Sequence, residues 1–214
     1  MKNCKAALAL YAVTDRAWLK EETLANQVEK AIRGGATFIQ LREKDLSYDK
    51  FIAEATQIKK VTDTYGIPFV INDNVAVAAA VDADGVHLGQ GDEAIAAARA
   101  TLGKDKIIGI SAHTVALAKA AEQNGADYIG VGAVFPTTTK TDASAVSSSV
   151  LRAICQAVHV PVVAIGGICK ENIMELAGSG IDGIAVVSAL FAAEQIEEAA
   201  KELRTIVANM LQQK

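Results

Sequence analysis

Short apolar runs alternate with longer amphipathic stretches about eight times along this chain, and that rhythm limits the fold more than any other feature. The runs predict strands at Leu8–Val13, Thr37–Leu41, Pro68–Ile71, Gly85–Leu88, Ile107–Ile110, Tyr128–Val131, Val162–Ile165 and Gly183–Val187. Between them, positions such as Ile95, Ala98 and Leu102 recur at helical spacing, and that helix is expected to stop at Gly103. The last stretch, Gln195 to Leu211, puts Ile196, Ala199, Ala200, Leu203, Val207 and Leu211 on one stripe and reads as a closing helix. Strict strand–helix alternation implies right-handed crossovers and a parallel sheet. An open doubly wound sheet is the rival. Eight units in 214 residues, with no GxGxxG after the first strand, favour closure. The expected fold is α/β, a (β/α)8 TIM barrel, with residues 1–214 as one domain.

Composition agrees with such a core. Hydrophobic residues make up 51% of the chain and aromatics only 5%, so the interior must be aliphatic, as suits parallel strands buried on both faces. A weak repeat marks the even-numbered strands. Gly35-Ala36-Thr37, Ala83-Asp84-Gly85, Gly125-Ala126-Asp127 and Gly180-Ile181-Asp182 each put a polar residue just before an apolar run. Their unequal spacing makes them structural punctuation rather than a solenoid repeat.

A formal net charge of −4 and the lack of any Lys/Arg run give no footprint for nucleic acid or an anionic membrane. Cys4, Cys155 and Cys169 form no CxxC pair, so no disulfide or zinc framework is legible. Met1 to Tyr11 has neither a long apolar core nor a small-residue cleavage site, and the apolar runs are strand-sized. A cytoplasmic protein is the expectation.

In a closed barrel, residues just past the carboxyl ends of the strands meet at one mouth. Here that set is cationic, carboxylate, hydroxylic and glycine-rich at once. Gln40-Leu41-Arg42-Glu43-Lys44 alternates so that Gln40, Arg42 and Lys44 share a side while Leu41 faces the helices. An Arg fork beside a Lys point charge suits a diphosphate; an Arg42–Glu43 pair at a solvated strand end is the plainer alternative. Asp73 and Asp92 follow neighbouring strands. Two adjacent carboxylates fit a hard divalent ion, or each caps the helix that follows it. Thr137, Thr138, Thr139 and Lys140 form a loop long enough to fold over a ligand. Gly166-Gly167 and Val187-Ser188 follow strands seven and eight, the usual phosphate site of such barrels. His87 reads as a satisfied core residue, and no histidine is assigned a role.

Seven segments in order give this chain a resemblance to the thiamine-phosphate synthase family: Leu10–Arg16, Gln40–Lys44, Ile71–Asp73, Gly85–Gln90, Gly130–Lys140, Ile165–Ile168 and Val186–Ser188. The resemblance implies a transferase of thiamine biosynthesis. It would join hydroxymethylpyrimidine diphosphate to thiazole phosphate, or its carboxylated form, and release pyrophosphate. By resemblance, Gln40, Leu41, Arg42, Glu43, Lys44, Asn72, Ser111 and Lys140 hold the pyrimidine diphosphate, with Arg42, Ser111 and Lys140 acting in catalysis. Thr137, Thr138, Thr139, Gly167, Val187 and Ser188 would hold the thiazole phosphate, and Asp73 and Asp92 one Mg ion. The implied partners are small-molecule substrates and neither nucleic acid nor membrane, with a homo-oligomer compatible. A thiazole tautomerase on the same fold and a non-catalytic thiamine-phosphate binding protein are the alternatives. A tautomerase would not need Arg42, Lys44, Asp73 and Asp92; turnover with both substrates separates a binding protein from an enzyme.

Overall fold

The computed structural model describes residues 4–19, 21–89, 92–137 and 145–213, leaving aside the side chains of 92–94. Eight parallel strands close into a barrel in sequence order: β1 (Leu10–Val13), β2 (Phe38–Leu41), β3 (Phe69–Asn72), β4 (Gly85–Leu88), β5 (Ile107–Ser111), β6 (Tyr128–Val131), β7 (Val162–Ile165) and β8 (Gly183–Val186). Closure comes from β1 pairing with β8, in the register Leu10 opposite Ile184. Helices α1 (Leu24–Arg33), α2 (Tyr48–Tyr65), α3 (Val75–Ala80), α4 (Asp92–Leu102), α5 (Val115–Gln123) and α6 (Ser148–Ala157) follow the first six strands. The expected TIM barrel is the fold observed.

Two differences from the expected alternation stand out. After β7 a 3-10 turn at Ile173–Leu176 replaces a full helix, and after β8 a single turn, α7 (Ser188–Phe191), precedes the closing helix α8 (Ile196–Gln212). Leu8, expected in the first strand, instead ends a 3-10 turn at Lys5–Leu8. That turn puts Cys4 and Leu8 into the interior cluster, so it closes the barrel floor rather than extending β1. No helix among the described residues is long and apolar enough to cross a membrane.

Period two sorts the strand side chains into two cores. Leu10, Ala12, Ile39, Leu41, Ile108, Ile110, Ile129 and Val131 pack outward against the helices. Tyr11, Val13, Phe38, Val70, Ile107, Tyr128, Val163 and Ala185 pack inward. Burying each aliphatic side chain contributes about 1.5–3 kcal/mol, which is why so aromatic-poor a chain can hold a barrel together. Three of the aromatics meet inside the barrel. Tyr11 meets Phe38 edge-on with ring centroids 4.6 Å apart, and Tyr128 lies 5.8 Å from Phe38 and 6.0 Å from Tyr11. Glycine makes the room: a Cβ on Gly109 would stand 2.0 Å from the Tyr128 ring.

The sequence repeat has a concrete job. The side chains of Thr37, Asp84, Asp127 and Asp182 accept hydrogen bonds from Leu10, Phe69, Ile108 and Val162 N–H, at 2.9, 3.0, 2.9 and 3.1 Å. The backbone N–H of each returns a bond to the carbonyl of the same partner, at 2.8 Å in all four cases. Four reciprocal clamps thus fasten each odd strand to the even strand that follows, at the amino-terminal rim. Elsewhere Gly103, at φ +83°, ends α4 as expected, its N–H bonding to the Arg99 carbonyl. No disulfide joins the three cysteines, and burial pushes the Cys4 thiol up to about 11.

Asp127→Ala strips the acceptor from the Ile108 amide and from Arg99, which bonds the same carboxylate at 2.8 Å. It is expected to destabilise the fold by roughly 2–3 kcal/mol in urea unfolding, with Asp127→Asn recovering most of the loss because an acceptor oxygen remains.

Candidate active site

The carboxyl ends of the strands open into one cavity of about 400 Å³. From the inward positions of β2 and the turn after it come Gln40, Arg42 and Lys44, and from the end of β3 come Asn72 and Asp73. His87 and Gly89 lie on the β4 side, and Ser111 and His113 on the β5 side. The far wall is built from Gly130, Gly132, Ala133 and Thr137, then Gly166, Gly167 and Ile168, then Val187 and Ser188. Gln40, Arg42, Lys44, Asn72, Asp73, Ser111, Thr137, Gly167, Val187 and Ser188, singled out in the sequence, therefore share one space.

Others do not. Leu41 packs outward in the helix-facing core, and the Glu43 side chain is turned away into an ion pair. Arg16 reaches across from the β1 loop to bond Glu43 at 2.9 Å and Glu54 of α2 at 2.7 Å. The expected alternative, an Arg42–Glu43 pair, is thus replaced by Arg16–Glu43, which leaves Arg42 on the cavity wall. Both carboxylates hold the Arg16 guanidinium in its charged form. Thr14 completes the brace, its buried hydroxyl accepting from Arg42 N–H at 3.1 Å. Thr138, Thr139 and Lys140 lie outside the described residues, as does the side chain of Asp92, although Asp92 opens α4.

Asp73 does not cap its helix. Asn74 does, accepting from Val77 N–H at 2.9 Å. Asp73 sits instead in the left-handed region at φ +59°, its carboxylate accepting from the Asn72 amide at 2.6 Å. Only Asp, Asn and Gly take that conformation readily, and strained backbone gathers where side chains must be aimed. The Gly166-Gly167 turn is also tightly fitted. A Cβ on Gly167 would meet the Pro136 carbonyl at 2.3 Å, and Phe135 N–H bonds the Gly166 carbonyl at 3.1 Å, so the β6 and β7 loops are packed backbone to backbone. Asn172 secures the turn, accepting from Cys169 N–H and donating to the Gly167 carbonyl, each at 2.9 Å.

Sequence reasoning passed over the residues beneath the cavity. Gln40 donates to the Tyr11 hydroxyl. Tyr11 and Tyr128 hydroxyls lie 2.9 Å apart, Tyr128 is 2.8 Å from His87 Nδ1, and His87 Nε2 is 3.0 Å from Ser111 Oγ. His87 is thus the floor of the site rather than a core residue. The signal was present: Tyr11 and Tyr128 occupy inward positions of a chain with few aromatics.

A barrel whose strand ends converge cations, a carboxylate, hydroxyls and paired glycines around one cavity is a (β/α)8-barrel enzyme. The family model for thiamine monophosphate synthase matches residues 10–190, and the chain belongs to that family. It is 50% identical over 198 residues to the thiamine-phosphate synthase of Clostridium acetobutylicum, covering 92% of this chain and 94% of the relative. With the thiamine-phosphate synthase of Clostridium beijerinckii it shares 51% identity over 200 residues, 94% of this chain and 96% of the relative. Among solved structures, the thiamine phosphate pyrophosphorylase of Pyrococcus furiosus superposes with a TM-score of 0.89 at 42% identity, covering 98% of this chain and 100% of that one.

The backbone at Asp73 yields a check. Asp73→Asn keeps a side chain suited to the left-handed region and is expected to leave unfolding stability within about 0.5 kcal/mol of the parent, whereas Asp73→Val should cost about 1–2 kcal/mol. Urea unfolding followed by circular dichroism measures both.

Proposed function

We propose that the chain joins hydroxymethylpyrimidine diphosphate to thiazole phosphate, giving thiamine phosphate and pyrophosphate. One observation carries the reading: Arg42, Lys44 and Asp73 open into the same cavity as Thr137, Gly167 and Ser188, so a diphosphate-type and a monophosphate-type subsite face each other. A tautomerase acting on the thiazole alone has no use for the first group.

In this reaction the pyrimidine methylene C–O bond breaks and its electron pair leaves on pyrophosphate. The ring carries the resulting positive charge, and the thiazole nitrogen lone pair then forms the C–N bond. No covalent protein nucleophile is needed. Arg42 supplies a bidentate fork and Lys44 a point charge to the departing anion, with Lys140 assigned to the same anion. Gln40, Asn72 and Ser111 hold the pyrimidine diphosphate. Thr137, with Thr138 and Thr139, Gly167, Val187 and Ser188, holds the thiazole phosphate and aligns its nitrogen for attack.

The donor set at Asp73 fits Mg. A hard carboxylate oxygen lines the diphosphate side of the cavity, and the second carboxylate assigned to the ion, Asp92, opens the helix after β4. Among the described residues no group of three or more His, Cys, Asp or Glu stands ready to hold a metal. Mg held by one or two carboxylates and by substrate phosphates requires no such group. Bound there, the ion would neutralise charge on the leaving diphosphate.

Mixing both substrates with Mg and the purified chain should produce thiamine phosphate and pyrophosphate in equal amounts; no product from that mixture overturns the reading. Asp73→Asn should lower turnover by about a hundredfold while the protein stays folded. The two subsites separate in binding titrations. Arg42→Ala should weaken the pyrimidine diphosphate by about tenfold and spare the thiazole phosphate, and Ser188→Ala should do the reverse. If both variants impair the same ligand, the division is wrong.

A further inference from the structure

The hydrogen bonds beneath the cavity form one unbroken line across the barrel, from Gln40 on β2 through Tyr11 on β1, Tyr128 on β6 and His87 on β4 to Ser111 on β5. Its two ends are residues assigned to the pyrimidine diphosphate. The three in the middle line the floor of the same cavity, and nothing in the reaction itself calls for them as reacting groups. A structural polar cluster in a barrel would need only to be satisfied. This one is also ordered, and the order follows from donor counting.

Each phenol has one proton. The Gln40 amide nitrogen can only donate, so the Tyr11 oxygen accepts from it. Tyr11 and Tyr128 are fully buried, and the Tyr11 proton has the Tyr128 oxygen as its acceptor at 2.9 Å. The Tyr128 proton then goes to His87 Nδ1, at 2.8 Å, which must be the bare nitrogen of the ring. The proton of the neutral imidazole therefore sits on Nε2 and is donated to Ser111 Oγ at 3.0 Å. Ser111, having accepted from His87, keeps its own proton for a different partner. At the far end, Gln40 has committed an N–H to Tyr11.

We propose that Tyr11, Tyr128 and His87 are positioning residues: they form a directional hydrogen-bond chain that couples Gln40 to Ser111 and commits Ser111 Oγ to accept from His87, so that its own proton is given elsewhere. The proposal rests on the assignment of Gln40 and Ser111 to the pyrimidine diphosphate. Reversing one member forces all the others to reverse, because each buried hydroxyl has a single proton and leaving one unpaired costs about 1–3 kcal/mol. The polarity of the site at β5 is thereby tied to that at β2 through the barrel interior. Burial raises the phenol pKa of both tyrosines above its ordinary value, so each keeps its single proton for the line. The surroundings are shaped to hold the line in place. Gly109 leaves room for the Tyr128 ring, and a Cβ on Gly130 would come within 3.1 Å of His87 Cε1.

Nitrogen-15 NMR of the intact wild-type protein, labelled at histidine, decides the order without any turnover. The resonances of the three histidines are told apart with a His87→Gln variant. The expected result is a neutral His87 protonated at Nε2, with Nδ1 unprotonated; the opposite tautomer, or an even mixture, overturns the proposal. Positioning is tested separately by a double-mutant cycle read in kcat/KM for the pyrimidine diphosphate. Tyr128→Phe and Ser111→Ala are each expected to lower it by about tenfold, and Tyr128→Phe to cost less than about threefold more once Ser111→Ala is present. An undiminished tenfold loss in that background means Tyr128 acts through general packing, and the proposal falls. Should Tyr128→Phe be poorly folded, the Tyr11→Phe/Tyr128→Phe double variant, which removes both buried hydroxyls, replaces it in the cycle. A wild-type protein with the expected tautomer but no synthase turnover would sink the function and leave the proton order standing.

Discussion

The filled middle of the barrel is what everything at the mouth stands on. An eight-stranded barrel encloses a space that side chains must pack completely, and short aliphatic residues alone leave gaps. Tyr11, Phe38 and Tyr128 fill it here by meeting edge to edge, and Gly109 gives Tyr128 the room to enter. Two of the three rings carry a hydroxyl, and those hydroxyls point up into the line that reaches Gln40 and Ser111. The same residues therefore end the hydrophobic core and begin the polar site. A pair of phenylalanines would pack comparably but would leave the ligand-facing residues without an ordered base.

Above that base, the cationic side of the cavity is held by indirect means. Arg42 and Lys44 follow β2, where a chain end would ordinarily be loose. Thr14 bonds the Arg42 amide, and Arg16 locks Glu43 to Glu54, so the intervening backbone is tied to both β1 and α2. In part-buried ion pairs of this kind the loss of hydration offsets much of the attraction. Their value is geometric: they keep the odd-numbered neighbour turned outward so that the two cations on either side face in. On the opposite wall, close backbone packing between the β6 and β7 loops does the equivalent work, with Asn172 as the fastener.

Much of this was legible in the sequence, for reasons that can be stated. Strand positions came out within two residues because apolar runs of four or five between amphipathic stretches leave few other readings in so short a chain. The side chosen by Gln40, Arg42 and Lys44 followed from period two alone. Local alternatives were harder. Asp73 and Asn74 are both good cap residues, and only the backbone turn at Asp73 hands the cap to Asn74. Leu8 reads as strand because it is apolar, yet it is wanted on the barrel floor. The partnership of Glu43 with Arg16 rather than Arg42 is a matter of reach across 27 residues, which no local pattern encodes. His87 looked like core because its partners, Tyr128 and Ser111, lie on other strands.

The amino-terminal clamps have a consequence for how such a chain assembles. Each joins residues only 27, 15, 19 or 20 positions apart, whereas the β1–β8 seam that closes the barrel joins Leu10 to Ile184. Loop closure costs rise with the length enclosed, so four strand pairs can be secured early and cheaply before the one expensive seam is made. The unequal repeat visible in the sequence thus resembles a set of local assembly instructions, issued four times. It leaves a quarter-barrel as the smallest piece with its own fastening.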